Sequence, residues 1–278
     1  MENWVLGLVL IAAALHAGWN LLIKLGGDKL CTAGLLAAAS GVMCICLLPF
    51  FPLPDAAAWP YIVASAVLHT FYRLFLVSAY HHGDMGVVYP VARGLSPVLV
   101  AVGAFLFAGE VLSPAHMTGI AAIVIAICGL TFANGRRDIP LAAVGFALAT
   151  ALFIAGYTVV DGLGGRLAGS PHSYFLWMKV IDAVIFPGLV LTVRGPAFLA
   201  AARANWRPGL AGAVMSTGAY WIVIWAMTLA PMAPVSAVRE TSVVFGALLA
   251  GFILKEGRLA LRLAAAVVIA GGVVSLQF

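Results

Sequence analysis

A chain of 278 residues that is 64% hydrophobic and 9% charged cannot be an ordinary water-soluble domain, because such domains carry roughly a quarter charged residues and keep a polar exterior. Lys and Arg outnumber Asp and Glu by 15 to 10, for a pI of 9.2. No aromatic-interleaved basic patch accompanies that surplus, so lipid is the expected partner and nucleic acid is not.

A membrane-spanning helix needs about 20 mostly apolar residues. Ten such runs follow one another: 4–24, 32–52, 59–80, 87–108, 114–133, 141–161, 173–193, 208–229, 234–254 and 259–277. They are too long for barrel strands and lack period-two alternation, so the expected fold class is an all-α integral membrane bundle of ten transmembrane helices. Met1-Glu2-Asn3 lacks the positive region of a cleavable signal, and the first run is read as a retained helix.

Span 1 carries His16, Asn20 and Lys24 four residues apart on one face, with Trp19 beside them. Span 2 is almost purely apolar. Its Cys31, Cys44 and Cys46, like Cys128 in span 5, have no CxxC spacing and are read as small buried hydrophobes. Span 3 holds His69, Arg73 and Tyr80, with Tyr72 adjacent, and ends at His81-His82-Gly83-Asp84, read as an interfacial turn rather than a metal site. Span 4 opens with Tyr89-Pro90-Val91-Ala92-Arg93-Gly94. Span 5 is apolar after His116, and span 6 offers Tyr157 and Asp161. Span 7 has Lys179 and Asp182 at i, i+3, where mutual neutralisation is the simplest reading. Span 8 has Tyr220, Trp221 and Trp225; span 9 has Arg239, Glu240, Thr241 and Ser242; span 10 is apolar after Arg262. The polar spans are expected to surround a wet cavity, and spans 2, 5 and 10 to face lipid.

The halves echo each other. A shift of 146 residues puts Arg93 on Arg239, Ser96 on Ser242 and Glu110 on Glu256; a shift of 138 puts Ala17-Gly18-Trp19-Asn20 on Ala155-Gly156-Tyr157-Thr158. Five spans per repeat is an odd number, so the second repeat must be inverted relative to the first. The expected units are 1–134 and 135–278. Lys24, Lys29, Arg136, Arg137, Arg194, Arg203, Arg207, Lys255, Arg258 and Arg262 fall on one side of this topology, and only Arg166 on the other. That asymmetry places both termini outside an inner (plasma) membrane.

An ionisable residue inside a span costs about 2.5–3.5 kcal/mol on insertion scales, so each needs a reason. Arg73 lies mid-span; Arg93 and Arg239 lie roughly 8–9 Å into their helices. A guanidinium fork suits a substrate carboxylate, but it equally suits an acidic side chain or the carbonyls of a broken helix. His16 and Asn20 could likewise be an interhelical hydrogen-bond pair, and Trp19, Tyr72 and Tyr80 packing residues. No metal, cofactor or nucleophile-base motif is present in the sequence.

His16-Ala17-Gly18-Trp19-Asn20 with Lys24, Val88-Tyr89-Pro90-Val91-Ala92-Arg93-Gly94, Ala237-Val238-Arg239-Glu240-Thr241-Ser242 and Lys255-Glu256 resemble the EamA branch of the drug/metabolite transporter superfamily. The resemblance implies two five-helix repeats, a cavity formed mainly by spans 1, 3, 4, 6, 8 and 9, peripheral spans 5 and 10, and ATP-independent export of amino acids or related metabolites. Many members keep both termini in the cytoplasm; the charges here argue the reverse. The expected function is secondary transport of a small polar metabolite by alternating access, with no cofactor. The substrate-binding candidates are His16, Trp19, Asn20, Arg73, Tyr89, Arg93, Tyr157, Tyr220, Trp221, Trp225, Arg239 and Ser242, and Glu240 or Asp161 would couple H⁺ or Na⁺. An integral-membrane enzyme acting on lipid-linked substrates, with its His and Asp residues catalytic, and a channel are the alternatives. Polar residues spread over both halves and several depths favour transport over an enzyme.

Overall fold

The structure is a computed structural model that describes residues 1–25, 27–82, 85–132, 140–246, 259–276 and 278. Among these residues all regular structure is helical. The first half supplies α1 (Asn3–Leu25), α2 (Lys29–Leu47), α3 (Trp59–His82), α4 (Met85–Ala108) and α5 (Pro114–Phe132). The second supplies α6 (Leu141–Leu167), α7 (Pro171–Arg194), α8 (Pro196–Ala204), α9 (Trp206–Leu229), α10 (Met232–Glu240) and α11 (Leu259–Ser275). Among the described residues seven stretches are long and apolar enough to cross a membrane: α1, α2 with the short 3₁₀ turn after it, α3, α4, α6, α7 and α9. α5 and α11 are shorter apolar helices.

Local chemistry sets several boundaries. Asp28 caps α2, its Oδ1 accepting from the amides of Leu30 at 2.9 Å and Cys31 at 3.1 Å. Ser170 caps α7 ahead of Pro171, and Pro49 ends α2 in a 3₁₀ turn. Gly109, at φ +65°, turns the chain out of α4 and so delivers Glu110 to its partners, a conformation that costs other residues more.

Two features differ from the ten simple spans expected. The stretch between spans 7 and 8 holds a short extra helix, α8, whose Phe198 is buried against Cys31, Phe186 and Val190. The ninth span breaks at its middle: α10 ends at Glu240, Thr241 turns, and residues 242–246 resume as helix. The Thr241 amide and Oγ1 both reach the Val238 carbonyl, at 3.0 and 2.7 Å, a three-residue closure that tightens the helix end.

Side by side, the helices close a ring. α1 packs on α9, α9 on α2, α2 on α7, α7 on α3, α3 on α6, α6 on α4, α4 on α10, and α10 returns to α1. α5 and α11 pair outside this ring, with α5 resting on α4. Small residues permit the close approaches. A Cβ added to Gly41 on α2 would lie 2.1 Å from that of Ala183 on α7, and one added to Gly119 on α5 would meet the Gly272 carbonyl at 2.7 Å. Lipid offers no hydrophobic drive between helices, so backbone proximity and dispersion must hold them. Outward-facing side chains are apolar: Phe105, Leu106, Phe107, Val184 and Val267 are all exposed.

Candidate functional site

The ring encloses a cavity of about 1030 Å³, including its mouth. His16, Trp19 and Asn20 of α1 face His69, Tyr72 and Arg73 of α3 across it; Tyr157 (α6), Lys179 (α7), Ser216 and Tyr220 (α9) and Arg239 (α10) complete the polar wall. α2 contributes Ala33, Ala37 and Ser40. The expectation that span 2 turns to lipid is therefore corrected: its small residues admit it to the wall, where bulkier ones would fill the space.

The cavity reaches Lys29 and Val77 at the end of the bundle where α1 meets α2 and α3 stops. Both residues also line a neighbouring hollow with Asp28, His81 and Arg194. The opposite end is closed. There Arg166 Nη2 lies 2.6 Å from Glu110 Oε1 and donates to the Ala230 carbonyl at 3.2 Å, while Nε donates to that of Met227 at 2.9 Å. Glu110 Oε2 accepts from the Met232 amide at 2.8 Å. These bonds tie the ends of α4, α6 and α9 to the start of α10. Beneath them Tyr174 donates to Asp161 Oδ1 at 2.8 Å, and the Tyr220 hydroxyl donates to Oδ2.

Two charge clusters flank the cavity. Arg73 grips Asp182 with both ends of its fork, Nη1 to Oδ1 at 2.6 Å and Nη2 to Oδ2 at 2.8 Å, the bidentate geometry a guanidinium favours. Lys179 Nζ lies 3.8 Å from Asp182 Oδ2 and makes no hydrogen bond among the described residues. Of the readings left open for Arg73, the structure thus supplies an acidic partner from another helix.

The second cluster joins the halves. Arg93 Nε is 2.9 Å from Glu240 Oε2, and Arg239 Nη2 is 3.1 Å from Glu240 Oε1. Ser96 Oγ donates to the same carboxylate at 3.4 Å, and Arg93 Nη2 reaches Ser242 Oγ at 3.5 Å. Arg93 also touches the His16 ring. Four of the six residues paired by the 146-residue shift therefore gather around Glu240, where the α10 helix breaks: Arg93, Arg239 and Ser96 on its carboxylate, and Ser242 on Arg93. Arg93, Arg239 and Glu240 are almost wholly buried.

His16, Trp19, Asn20, Arg73, Tyr157, Tyr220 and Arg239 are brought together on one wall. Arg93, Ser242 and Glu240 stand behind that wall and reach it through His16 and Arg239. Trp221 and Trp225 lie elsewhere. Trp221 donates to His172 Nδ1 at 2.8 Å and stacks on Phe175, and Trp225 packs on Trp4. Both belong to the closed end and are set apart from the cavity wall. The side chains of Tyr89 and Lys24, and the positions of Lys255 and Glu256, lie outside the described residues. Among the described residues no cluster of His, Cys, Asp or Glu could hold a metal.

Sequence reasoning noted His69 and Lys179 without counting them among the substrate-binding candidates, and left out Ser40 and Ser216. His69 stacks on Tyr157 at 4.0 Å between ring centroids. Ser40 and Ser216 are isolated hydroxyls in otherwise apolar stretches, and that isolation was the available signal.

A profile of the EamA-like transporter family matches residues 3–132. That segment belongs to the EamA-like transporter family. A solved crystal structure superposes with a TM-score of 0.78 at 18% identity, covering 100% of this chain and 99% of its own. At that identity the likeness establishes the fold, which extends over both halves. No curated protein matches the sequence. With a segment that matches the EamA-like transporter family and seven membrane-length helices among the described residues, the chain is a multi-pass membrane protein.

Proposed function

We propose that this EamA-like protein is a secondary transporter that carries a small polar metabolite across the inner membrane by alternating access, in the export direction. The observation that carries the reading is the cavity itself: eight helices ring it, it opens at the Lys29 end, and the Glu110–Arg166 and Asp161–Tyr220 contacts close the other. A pathway open at both ends would suit a channel. One open at a single end, over buried charges, suits a carrier.

In this reading the chain has ten spans in two inverted halves, 1–134 and 135–278. What supports it is that Arg93 and Arg239, equivalent under the 146-residue shift, meet on Glu240. The break after Glu240 ends α10 at the carboxylate that Arg93 and Arg239 share, and broken helices at repeat interfaces are a recurring transporter device. The lysine and arginine asymmetry makes the Lys29 end cytoplasmic and both termini external. His16, Trp19, Asn20, Arg73, Tyr157, Tyr220 and Arg239 contact substrate. Asp161 or Glu240 takes the coupling ion, since each carboxylate bridges a cavity residue to a helix that must move.

The test is uptake into proteoliposomes without ATP, over amino acids, carboxylic acids and amines, with and without an imposed pH gradient. Accumulation above empty liposomes of at least one chemical class is expected. Retention of none, or appearance of a chemically altered product, would reject transport.

A further inference from the structure

The charges around the cavity do not balance. Arg93 and Arg239 share the single carboxylate of Glu240, and neither guanidinium can shed its proton at any working pH. Across the cavity Arg73 and Lys179 share Asp182. The two clusters hold four cations on two carboxylates. Asp161 adds a third carboxylate, and even counted in full it leaves one positive charge over among the described residues of these clusters.

The distribution matters more than the total. Arg73, Lys179 and Arg239 stand on the cavity wall with Lys29 at its mouth, and among the described residues of the wall none is acidic. Among the described residues every nearby carboxylate is occupied: Asp182 by both ends of Arg73, Glu240 by two arginines and Ser96, Asp161 by two tyrosine hydroxyls. A substrate ammonium entering this space would meet cations and find no acceptor charge. A carboxylate would find donors already aimed at it. The Lys179 ammonium lacks a hydrogen bond among the described residues and lies 6.0 Å from the Tyr220 ring; the Arg239 guanidinium lies 6.0 Å from the Tyr157 ring. Those two rings meet edge to face at 5.9 Å, so the two cations flank one aromatic corner.

We infer that the cargo of this cavity is a small organic anion without an amino group, its anionic end held at the Tyr157–Tyr220 corner by Lys179 and Arg239. The inference rests on the transporter reading and narrows it, excluding the amino acids and amines that the family resemblance alone would suggest. The body of the cargo lies against Trp19 and Tyr72, both of which line the cavity and can take an apolar or planar surface. A surplus of positive charge inside a bundle is costly, and an entering anion relieves it, so selection and binding come from one source.

Matched probes test this. Purified protein is challenged with 3-phenylpropanoate, phenylalanine and phenethylamine, and with propanoate, alanine and ethylamine, which share bodies and differ in their charged groups. Thermal shift in detergent and counterflow in proteoliposomes are read together. The anion of at least one set is expected to raise the melting temperature and to be carried, its zwitterion and amine to do neither. Lys179→Met, which leaves Arg73 on Asp182, should melt normally and bind the anion about tenfold more weakly, as loss of a charge-assisted bond implies, with Lys179→Arg restoring it. A zwitterion or amine bound as well as its matched anion, no shift from either anion, or unchanged anion affinity in a folded Lys179→Met would each overturn the inference. Carriage of phenylalanine or alanine alone would reject the anion and leave transport standing; an anion that binds but is not carried would do the reverse.

Discussion

Arg73 of α3 and Asp182 of α7 are 109 residues apart in sequence and joined at two points, 2.6 and 2.8 Å, inside the bundle. The Arg73 guanidinium also sits 4.6 Å from the Phe186 ring. Burial makes the pair dangerous to break. Arg73→Ala strands a carboxylate and should destabilise the protein by about 3–5 kcal/mol, whereas exchanging both partners for apolar residues of similar size should restore much of the loss. Melting in detergent of Arg73→Ala and of Arg73→Met with Asp182→Leu separates these outcomes. A normal melt in Arg73→Ala would mean that the pair contributes nothing to the fold.

Glu240 holds the second cluster alone. Glu240→Gln removes the only carboxylate between Arg93 and Arg239 among the described residues, leaving two buried cations to repel. A loss of about 3–5 kcal/mol is expected, against about 1 kcal/mol for Ser242→Ala, whose hydrogen bond is long at 3.5 Å. Equal effects of the two substitutions would show that the carboxylate is not what holds these arginines.

Gly41 offers a test of packing without charge. Its helix approaches α7 so closely that an added methyl would overlap Ala183. Gly41→Leu should therefore part α2 from α7 and lower the melting point, while Gly7→Leu on α1, where nothing lies within 4 Å, should leave it nearly unchanged. Similar melting for the two would contradict the described contact.

Acid should loosen one end of the bundle. Burial is the largest single influence on Asp28 and opposes its ionisation, but the Cys31 amide, Arg194 and the Leu30 amide together outweigh it and hold the carboxyl below its ordinary value of 3.8. A depressed carboxyl stabilises the fold above its unfolded value and loses that effect as pH falls through the folded one. Protection of the Leu30 and Cys31 amides, corrected for intrinsic exchange, should be constant from neutrality to about pH 5 and fall below about pH 4. Asp28→Asn should flatten that dependence; an unaltered acid limb would assign it to another group.

The helices were legible because apolar length is a one-dimensional signal, and the 146-residue echo pointed to Arg93, Ser96, Arg239 and Ser242 before any of them was placed. Their partner was harder to see. Glu240 has no counterpart in the first half, where Gly94 stands at the matching position, so only the three-dimensional meeting of α4 and α10 shows one carboxylate serving both arginines. Trp221 and Trp225 looked like cavity residues for their chemistry; a helix has several faces, and sequence does not say which one turns inward. α2 misled for the opposite reason. Its Ala33, Ala37 and Ser40 read as filler for a lipid-facing helix, although small side chains are also what leaves a cavity empty.

The central claim is a cavity open to one side at a time. It is tested most directly by single cysteines at Asn20 and Ser216, both on the cavity wall, in a protein whose Cys31, Cys44, Cys46 and Cys128 have been replaced. In oriented proteoliposomes a membrane-impermeant thiol reagent should label both positions when applied from the Lys29 side and leave both unlabelled, or far more slowly labelled, from the side of Glu110 and Arg166. Rapid labelling of both from either side would make the path a continuous pore, and labelling of neither from any side would mean that the space between these helices is not a route for solutes.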